Sequence, residues 1–319
     1  MKIIFFILFG ISLFANDILT DYRINGIENI EKEMDLQLTS KQYWNKYLKN
    51  KDTTFGYIEK YSSILTCNKT NSTLDLYKLD NNSTFKLEKQ YSAYTGENPG
   101  DKVTEGDLRT PVGVYEITRK VEKLDSFYGP LAFVTSYPNI YDRYRGKDGH
   151  GIWIHGLPTE QNRDQFTKGC IAINNSAIKC LDKTIDIKST LLLINESEVP
   201  KNISKEILTT ILSQLYAWRY SWLYNDIEKY LSFYSNDFVR NDNMKFSRFK
   251  KYKTRIFKKN EKKTILFRDI NVIKYPNTKN IYQITFQEIY KSTSFKFNGK
   301  KILMVKIDTQ NNMKIFTEK

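Results

Sequence analysis

The sequence contains the stretch Thr167-Lys168-Gly169-Cys170-Ile171-Ala172-Ile173-Asn174. In it a cysteine directly follows a glycine and precedes a short apolar run. Fifteen residues upstream of Cys170, the stretch Ile152-Trp153-Ile154-His155-Gly156 ends an apolar segment on a histidine. A thiol attacks a carbonyl carbon as the thiolate, and a positioned imidazole is the usual base that generates it. The two stretches therefore predict a cysteine acyl-transfer enzyme in which Cys170 is the nucleophile.

Only two histidines occur in the sequence, and His155 is the stronger candidate for the base. It ends a predicted strand, from which its side chain can project into a cleft. His150 lies in a glycine-rich loop and is the rival candidate. No Asp or Asn is obviously paired with the histidine, so the carbonyl of Gly156 is the most natural group to orient the imidazole.

The two residues before the thiol also have predicted roles. Gly169 permits a tight backbone approach, and its N–H, with that of Cys170, is predicted to face a developing oxyanion. Lys168 either adds a positive charge that favours the thiolate or is an ordinary solvated lysine.

Other catalytic classes do not fit the sequence. Two histidines and three scattered cysteines give no zinc-ligand spacing, so we expect neither a metal nor a cofactor. A serine hydrolase of the common type would need a Gly-x-Ser-x-Gly elbow, which the chain lacks.

The N-terminal residues predict export. Lys2 precedes the apolar run Ile3–Phe14, which is too short to span a bilayer as an ordinary helix, and Ala15 then supplies a small residue. This layout indicates a cleaved signal peptide over residues 1–15, with an uncleaved anchor as the alternative. We therefore expect a periplasmic protein.

Cysteine usage agrees with an exported enzyme that keeps a thiol. Cys67, Cys170 and Cys180 make an odd number, which leaves at least one cysteine unpaired. Cys67 and Cys180 either form a disulfide or are small buried apolar residues. A fold held mainly by disulfides is excluded.

The remaining residues divide into three predicted parts. Residues 16–60 form a polar helical segment that has too little apolar surface to fold alone, so it packs on the next domain or forms a homodimer with a second copy. Residues 61–198 contain short apolar runs between Gly, Pro, Asn and Asp, which predicts a mostly β domain with one helix near Asn174. Residues 203–319 begin with a helical stripe and continue with strands, which predicts an α+β domain with a curved antiparallel sheet.

Charge divides the chain near residue 200. Residues 1–200 contain 25 Lys and Arg against 26 Asp and Glu, whereas residues 201–319 contain 25 against 10. A basic region of this kind suggests nucleic acid in a cytosolic protein, but we expect no nucleic-acid partner for an exported one. It is interpreted as a solvated basic face that draws the protein to a negatively charged surface, and an unknown protein or glycan partner stays open.

The residues around Cys170 resemble the L,D-transpeptidase catalytic domain (YkuD type) of bacterial cell-wall enzymes. That family has His-Gly, about fifteen residues, and then Ser/Thr-x-Gly-Cys-Ile/Val before an Asn, which His155-Gly156 and residues 167–174 match. Its upstream Thr-Gly turn and Thr-Pro-x-Gly-x-Tyr element are matched by residues 95–96 and 110–115. The resemblance covers residues 61–195 and implies a β-sandwich or barrel.

The resemblance also implies the roles of the site residues. Cys170 would be the nucleophile and His155 the base, with Gly156 orienting the base and Gly169 helping Cys170 to hold the oxyanion. Lys168 stands where the family usually has His, and Ala172 stands where it commonly has Arg. Because both departures lie beside the nucleophile, ordinary cross-linking activity is not assumed.

The C-terminal part resembles the nuclear transport factor 2 (NTF2) fold through Trp218 and residues 226–230 and 234–238. The whole arrangement is similar to the L,D-carboxypeptidases that set helical cell shape in curved bacteria. This similarity predicts that the enzyme removes D-Ala from peptidoglycan stem tetrapeptides through a thioester, leaving tripeptides. The alternatives are an L,D-transpeptidase that forms 3–3 cross-links or attaches a protein to peptidoglycan, and a non-enzymatic cell-wall-binding protein.

A stem peptide ends in a carboxylate, so cationic side chains near the cleft are predicted to bind it. The candidates are Arg109, Arg143, Arg145 and Lys168. Tyr137 or Tyr141 is predicted to line the acyl pocket or to assist the oxyanion.

Overall fold

The computed structural model describes residues 18–158 and 166–319, so the predicted signal peptide lies outside the described residues. The helices are α1 (18–25), α2 (Ile27–Gln37), α3 (Lys41–Leu48), α4 (Ile140–Tyr144), α5 (Asn175–Thr184), α6 (Lys205–Leu223), α7 (Ile227–Ser232) and α8 (Phe246–Phe257), with 3₁₀ helices at Ser126–Tyr128 and Ile187–Ser189. The strands are β1 (Tyr57–Ile58), β2 (Ser63–Asn68), β3 (Thr73–Leu79), β4 (Phe85–Tyr94), β5 (Gly113–Val121), β6 (Ala132–Thr135), β7 (Trp153–His155), β8 (Ile171–Ile173), β9 (Thr190–Asn195), β10 (Thr264–Lys274), β11 (Ile281–Lys291), β12 (Lys296–Ile307) and β13 (Met313–Glu318). Within these two ranges, no helix combines the length and apolar character needed to cross a bilayer.

Strands β2 to β9 close into an eight-stranded barrel in the order β2-β3-β4-β8-β7-β6-β5-β9. Two of its strand pairs, β2 with β9 and β7 with β8, are parallel, and the others are antiparallel. Helix α5 follows β8 directly. The prediction of a mostly β catalytic domain, with a barrel and a short helix, is confirmed.

Strand β9 reads as a continuous apolar run because both of its faces are buried. Leu192 and Ile194 belong to the core of the barrel. Leu191 and Leu193 belong to a second apolar cluster, which also contains Tyr275 from the C-terminal sheet. One side of the barrel is therefore covered by the C-terminal domain.

The C-terminal domain packs helix α6 on the antiparallel sheet β10-β11-β12-β13. Trp218 of α6 is fully buried and stacks on Phe267 of β10 at 5.9 Å between ring centroids. A bulge lies in β10 between Arg268 and Asn271, and such a bulge bends the strand that carries it. The predicted α+β domain with helices first and a curved antiparallel sheet after them is confirmed.

The N-terminal helices pack on this C-terminal domain. Asp35 of α2 pairs with Arg219 of α6 at 2.7 Å, and both side chains are buried. Trp44 of α3 belongs to the same apolar core as α6. Strand β1 adds an edge to the C-terminal sheet by pairing Tyr57 with Val272 of β10. The segment therefore has a partner within its own chain, and homodimerisation stays a prediction.

Direct contacts join the barrel to the C-terminal domain. The Tyr275 hydroxyl accepts a hydrogen bond from Asn139 Nδ2 at 3.0 Å, and its ring meets Tyr141 edge to face at 4.8 Å. On β5 of the barrel, Glu116 forms an ion pair with Lys300 of β12. The two domains thus share both apolar and charged contacts.

None of the three cysteines, which all lie within the described residues, forms a disulfide. Cys67 is fully buried on β2, in agreement with the apolar alternative. Burial raises the pKa of the Cys67 thiol to about 12, which keeps it protonated and unreactive. Cys180 lies on α5, where its sulfur is 3.0 Å from Lys89 Nζ.

Candidate active site

Strands β7 and β8 bring the predicted base and nucleophile to the same face of the barrel wall. The two strands are parallel, with Ile154 opposite Ile171 and His155 opposite Ala172. Ile154 and Ile171 point into the barrel core. Because alternate residues of a strand point to opposite faces, His155 points to the other face of the wall. Cys170 directly precedes β8, and we infer from the same alternation, continued by one residue, that it points to that face too.

The Gly156 carbonyl fixes the tautomer of His155. The imidazole is almost fully buried, at 1% exposure, and its Nδ1 lies 2.6 Å from the Gly156 oxygen. A carbonyl oxygen can only accept a hydrogen bond, so Nδ1 carries the proton and donates it. In the neutral ring the lone pair is then on Nε2, which is the form required of a general base.

The thiol of Cys170 is positioned by the loop that leads into β7. Its Sγ is 3.5 Å from the Gly151 carbonyl oxygen, in hydrogen-bonding position. On the other side, the Thr167 hydroxyl donates to the Cys170 carbonyl at 2.7 Å. The cysteine is only partly buried, so an extended substrate can approach the sulfur.

Gly169 shapes the turn before the nucleophile. Its φ is +130°, and a side chain would place a Cβ 2.8 Å from the Arg109 carbonyl oxygen, so only glycine fits without strain. Its N–H donates to Thr167 Oγ1 at 3.0 Å. This bond occupies the N–H that we expected to face an oxyanion, so the structure assigns Gly169 a conformational role and its part in holding an oxyanion stays a prediction.

Tyr128 is a site residue that the sequence analysis did not identify. Its ring meets His155 edge to face at 5.1 Å and also contacts Trp153 at 5.2 Å. Burial, and then the nearby Cys170, raises the pKa of Tyr128, so its hydroxyl stays neutral. Its carbonyl accepts the Gly156 N–H at 3.0 Å. The Tyr128-Gly129-Pro130 turn was the only local signal, and nothing in it indicates contact with a histidine.

The second motif of the sequence supports the loop that carries the nucleophile. Thr167 donates its N–H to the Thr95 carbonyl at 2.7 Å, and Gly96 forms a parallel bridge with Thr167. The Gly96 N–H donates to the hydroxyl of Thr110, which is fully buried. Residues far apart in sequence therefore meet in one scaffold around Cys170.

Of the predicted substrate-binding residues, Arg109 contacts the turn that precedes the nucleophile. Its carbonyl packs against Gly169, and its side chain is partly buried. Tyr137 is buried in the barrel core, and its hydroxyl lies beside Gly149. Lys168 is exposed.

The other candidates lie toward the C-terminal domain or in surface loops. Tyr141 packs on Tyr275, and Arg143 lines a groove of about 340 Å³ together with Lys300. Arg145 is occupied by ion pairs with Asp101 and Asp142. His150, the rival base, is exposed and lies 3.6 Å from Glu105. The structure thus does not bring these residues together with Cys170 in any described contact.

A second concave site lies in the C-terminal domain. Its pocket has a volume of about 690 Å³ and is lined by aromatic residues, such as Trp222 and Tyr290, and by more cationic than anionic side chains. Lys253 is buried there, with Nζ 4.4 Å from the Trp222 ring centroid. Burial lowers the pKa of Lys253 to about 8. Among the described residues, no cluster of His, Cys, Asp and Glu could hold a metal ion.

Comparison with protein families identifies two matching models. Residues 62–194 match the L,D-transpeptidase catalytic domain (YkuD), and residues 210–319 match the Cds6 C-terminal NTF2-like domain. The chain is also 35% identical over 108 residues to YafK of Escherichia coli K12, which is named as an L,D-transpeptidase. That alignment covers 33% of this chain and 40% of YafK.

Solved structures extend the similarity to both domains. The helical cell shape determining protein Pgp2 of Campylobacter jejuni is 38% identical, with a TM-score of 0.80 over 88% of this chain and 99% of Pgp2. A mutant of Pgp2 gives a TM-score of 0.82, at 38% identity over 89% of this chain and 99% of its own. Bd1075 of Bdellovibrio bacteriovorus, at 23% identity and a TM-score of 0.66 over 84% of this chain and 96% of Bd1075, shares the fold.

Proposed function

This chain belongs to the L,D-transpeptidase (YkuD) family and carries a C-terminal NTF2-like domain, and from this we propose that it is a periplasmic L,D-carboxypeptidase of peptidoglycan. In this proposal it uses a Cys-His thioester mechanism to remove D-Ala from stem tetrapeptides and thereby affects cell shape. The observation that carries the proposal is the Nδ1 contact of His155 with the Gly156 carbonyl, which leaves Nε2 as the base on the face of β7 and β8 that also carries Cys170.

The first half-reaction forms a thioester. The Cys170 thiol gives its proton to Nε2 of His155, and the sulfur attacks the carbonyl on the L-centre of meso-diaminopimelate. The tetrahedral intermediate collapses when its C–N bond breaks. His155 returns the proton to the nitrogen of D-Ala, which leaves as the free amino acid.

The second half-reaction releases the tripeptide. Water attacks the thioester carbonyl and gives its proton to Nε2 of His155, and the C–S bond then breaks. The sulfur leaves as the thiolate and recovers its proton from the imidazolium. A transpeptidase follows the same steps with an amine in place of water.

Two features support this proposal. Ala172, where the family commonly has Arg, is fully buried between His155 of β7 and Tyr94 of β4, so this site lacks a cation that ordinary members carry beside the nucleophile. The chain is also 38% identical, over nearly its whole length, to a protein named for determining helical cell shape. The first feature separates the chain from the family's usual pattern, and the second supports the proposed effect on cell shape.

Mass analysis of muropeptides tests the proposal. Purified tetrapeptide muropeptides incubated with the mature protein are expected to lose one D-Ala and give tripeptides without dimers. Accumulation of 3–3 linked dimers, or transfer of the stem peptide to a protein amine, would instead identify a transpeptidase. Cys170→Ala is expected to abolish either activity, and turnover by that variant would remove Cys170 from the mechanism.

The C-terminal pocket supports a second candidate function, binding to the cell wall. Aromatic faces and cations in one cavity suit a glycan or an anionic stem peptide. The full chain is expected to sediment with isolated sacculi more strongly at low salt than at high salt. Arg255→Glu, in the pocket wall, should weaken this binding more than Lys251→Glu, an exposed residue of the same helix outside the pocket. Equal effects would assign the binding to overall charge.

A further inference from the structure

Arg109 is held rigidly beside the nucleophile by its backbone. Its N–H donates to Asp107 Oδ1 at 3.1 Å, and the preceding Leu108 adopts a φ of 56°, which is unusual for a residue with a side chain. The Arg109 backbone lies between Gly96 and Gly169, and neither position has room for a Cβ. Because the backbone is already fixed, only the side-chain rotamers of Arg109 lose freedom when the guanidinium binds a ligand.

The guanidinium of Arg109 has no carboxylate partner within residues 18–158 and 166–319. Its Nε–H is buried and donates to no acceptor in these residues, and none of the ion pairs found among them includes Arg109. A buried donor without an acceptor costs about 1–3 kcal/mol, and more when it is charged. The site therefore gains free energy from an acceptor that arrives with a ligand.

The neighbouring acids are already neutralised by other cations. Asp107 is 2.7 Å from Lys102 Nζ, and Glu196 is 2.7 Å from Lys69 Nζ. Asp101 binds Lys147 and Arg145. These pairs hold the loops around Arg109 and leave its guanidinium without an internal counter-ion among them.

We infer that Arg109 is the specificity-determining residue that binds the α-carboxylate of the C-terminal D-amino acid of the stem peptide. This inference rests on the proposed function, because in the tetrapeptide substrate proposed there the scissile bond lies next to the carboxylate of the last residue. A guanidinium matches a carboxylate with two parallel hydrogen bonds. The other cationic candidates are occupied or lie elsewhere: Arg145 is already paired, Arg143 lies at the groove beside Lys300, and Lys168 is exposed. Among these candidates, Arg109 alone combines a partly buried side chain with a contact to Gly169.

A comparison of two substrates tests the inference. The tetrapeptide with a free C-terminal carboxylate is assayed against its C-terminal amide, and kcat/KM is measured for release of the last residue. Arg109→Met is expected to lower kcat/KM for the free acid by about 10- to 100-fold and to leave the amide nearly unchanged. Arg109→Lys, which keeps the charge without the planar fork, should fall between the two. Arg119→Met, at an exposed arginine of β5, should change neither substrate.

Equal losses on acid and amide, or no loss on either, would overturn the inference. Thermal unfolding shows whether the variant has a folding defect. Arg109→Met removes an unpaired buried donor, so the Tm of the variant should not fall below that of the native protein.

If the native enzyme releases no D-Ala, the proposed function fails, but the inference is still tested by calorimetric binding to Cys170→Ala protein. There the free acid should bind about 10- to 100-fold more tightly than the amide, and adding Arg109→Met should remove that preference. Equal affinities for acid and amide in Cys170→Ala would refute it.

Discussion

His155 is oriented by a backbone carbonyl and an aromatic ring instead of by a third charged side chain. The Gly156 carbonyl oxygen accepts a hydrogen bond from His155 Nδ1–H. The Tyr128 ring packs against the imidazole, and the Tyr128 carbonyl accepts the Gly156 N–H. Since a carbonyl oxygen can only accept a hydrogen bond, it selects the tautomer without placing a full negative charge beside the imidazole. The site therefore depends on backbone geometry to a degree that side-chain motifs do not reveal.

Gly169→Ala is expected to lower activity on the tetrapeptide by about 100-fold. The new Cβ clashes with the Arg109 carbonyl at a φ of +130°, and displacing the loop by about 1 Å moves the thiol from its attacking position. Gly26→Ala is the matched control, because Gly26 also has positive φ but no atom within 4 Å of its Cβ position. Near-normal kcat/KM in Gly169→Ala would show that the turn tolerates a side chain.

Tyr128→Ala is expected to lower kcat by about 10- to 100-fold with little change in KM. The lost ring frees the imidazole to rotate, which misplaces the base without removing a substrate contact. Tyr128→Phe keeps the ring and should stay within a few-fold of the native rate. If the two variants were equally impaired, the hydroxyl itself would take part in the chemistry.

Sequence reasoning reached some of these residues and missed others for a physical reason. His155 and Cys170 sit in short local motifs, so spacing alone indicated a base and a nucleophile. Tyr128 ends a 3₁₀ helix just before β6, and it contacts His155 because β6 pairs with β7 in the fold. The bond that occupies the Gly169 N–H depends on the rotamer of Thr167, which no pattern encodes.

At the scale of elements, helix α4 is anchored by charge. Asn139 and Asp142 form a capping box, and Asp142 is fully buried beside Arg145 and Lys147. The Tyr115 hydroxyl also donates to Asp142 at 3.0 Å. This short helix therefore joins the Thr-Pro-x-Gly-x-Tyr strand to the loop that leads into β7.

Asp142→Ala is expected to lower the free energy of unfolding by about 3–5 kcal/mol, because it leaves Lys147 buried near an empty position. Urea unfolding followed by circular dichroism measures the change. Glu88→Ala, at an exposed acid of β4, serves as the control and should stay within about 0.5 kcal/mol of the native value. A small effect of Asp142→Ala would mean that Asp101 alone neutralises both cations.

Helix α8 gives a prediction about pH. The pKa of Lys253 is lowered to about 8 by burial, against 10.5 ordinarily, while the nearby Glu318 and Glu288 oppose the shift and Lys301 and Arg240 add to it. Between these values the unfolded chain holds a proton that the folded chain has released, so stability rises with pH.

From pH 7.5 to 9.5, the native free energy of unfolding should rise by about 1–2 kcal/mol relative to that of Lys253→Met, as measured by urea unfolding at each pH. Lys251→Met, an exposed residue of α8, should follow the native curve. Parallel curves for Lys253→Met and the native protein would show that Lys253 titrates normally.

Element types were predictable from the sequence where burial is one-sided or periodic. The stripe along α6 indicated its helix, and the alternating runs indicated the barrel strands. Strand β1 has two residues and pairs with β10 from the far end of the chain, so no local signal marks it. The N-terminal helices were predicted to need a partner, but their choice of the C-terminal core depends on tertiary contacts such as Asp35 with Arg219.

At the scale of the whole molecule, Tyr275 ties the barrel to the C-terminal sheet. Tyr275→Ala is expected to destabilise the protein by about 3–5 kcal/mol, because it opens a cavity between Tyr141 and β9 and removes one of the two acceptors of the Asn139 amide group. Urea unfolding measures the loss, and limited proteolysis near residues 198–204 should become faster. Phe297→Ala, at a partly exposed ring, is the control, and cleavage at its native rate in Tyr275→Ala would argue against this contact as the main tie.

The pairing of β1 with β10 has a consequence for biosynthesis. The ribosome makes the early segment that contains β1 long before the strand that receives it, and the whole barrel is made in between. Until β10 and α6 have followed, the apolar side chains of Trp44 and Leu48 have no cover from the core they join. A truncated product thus leaves these apolar side chains exposed, where chaperones and proteases can recognise them, and only the complete chain buries them.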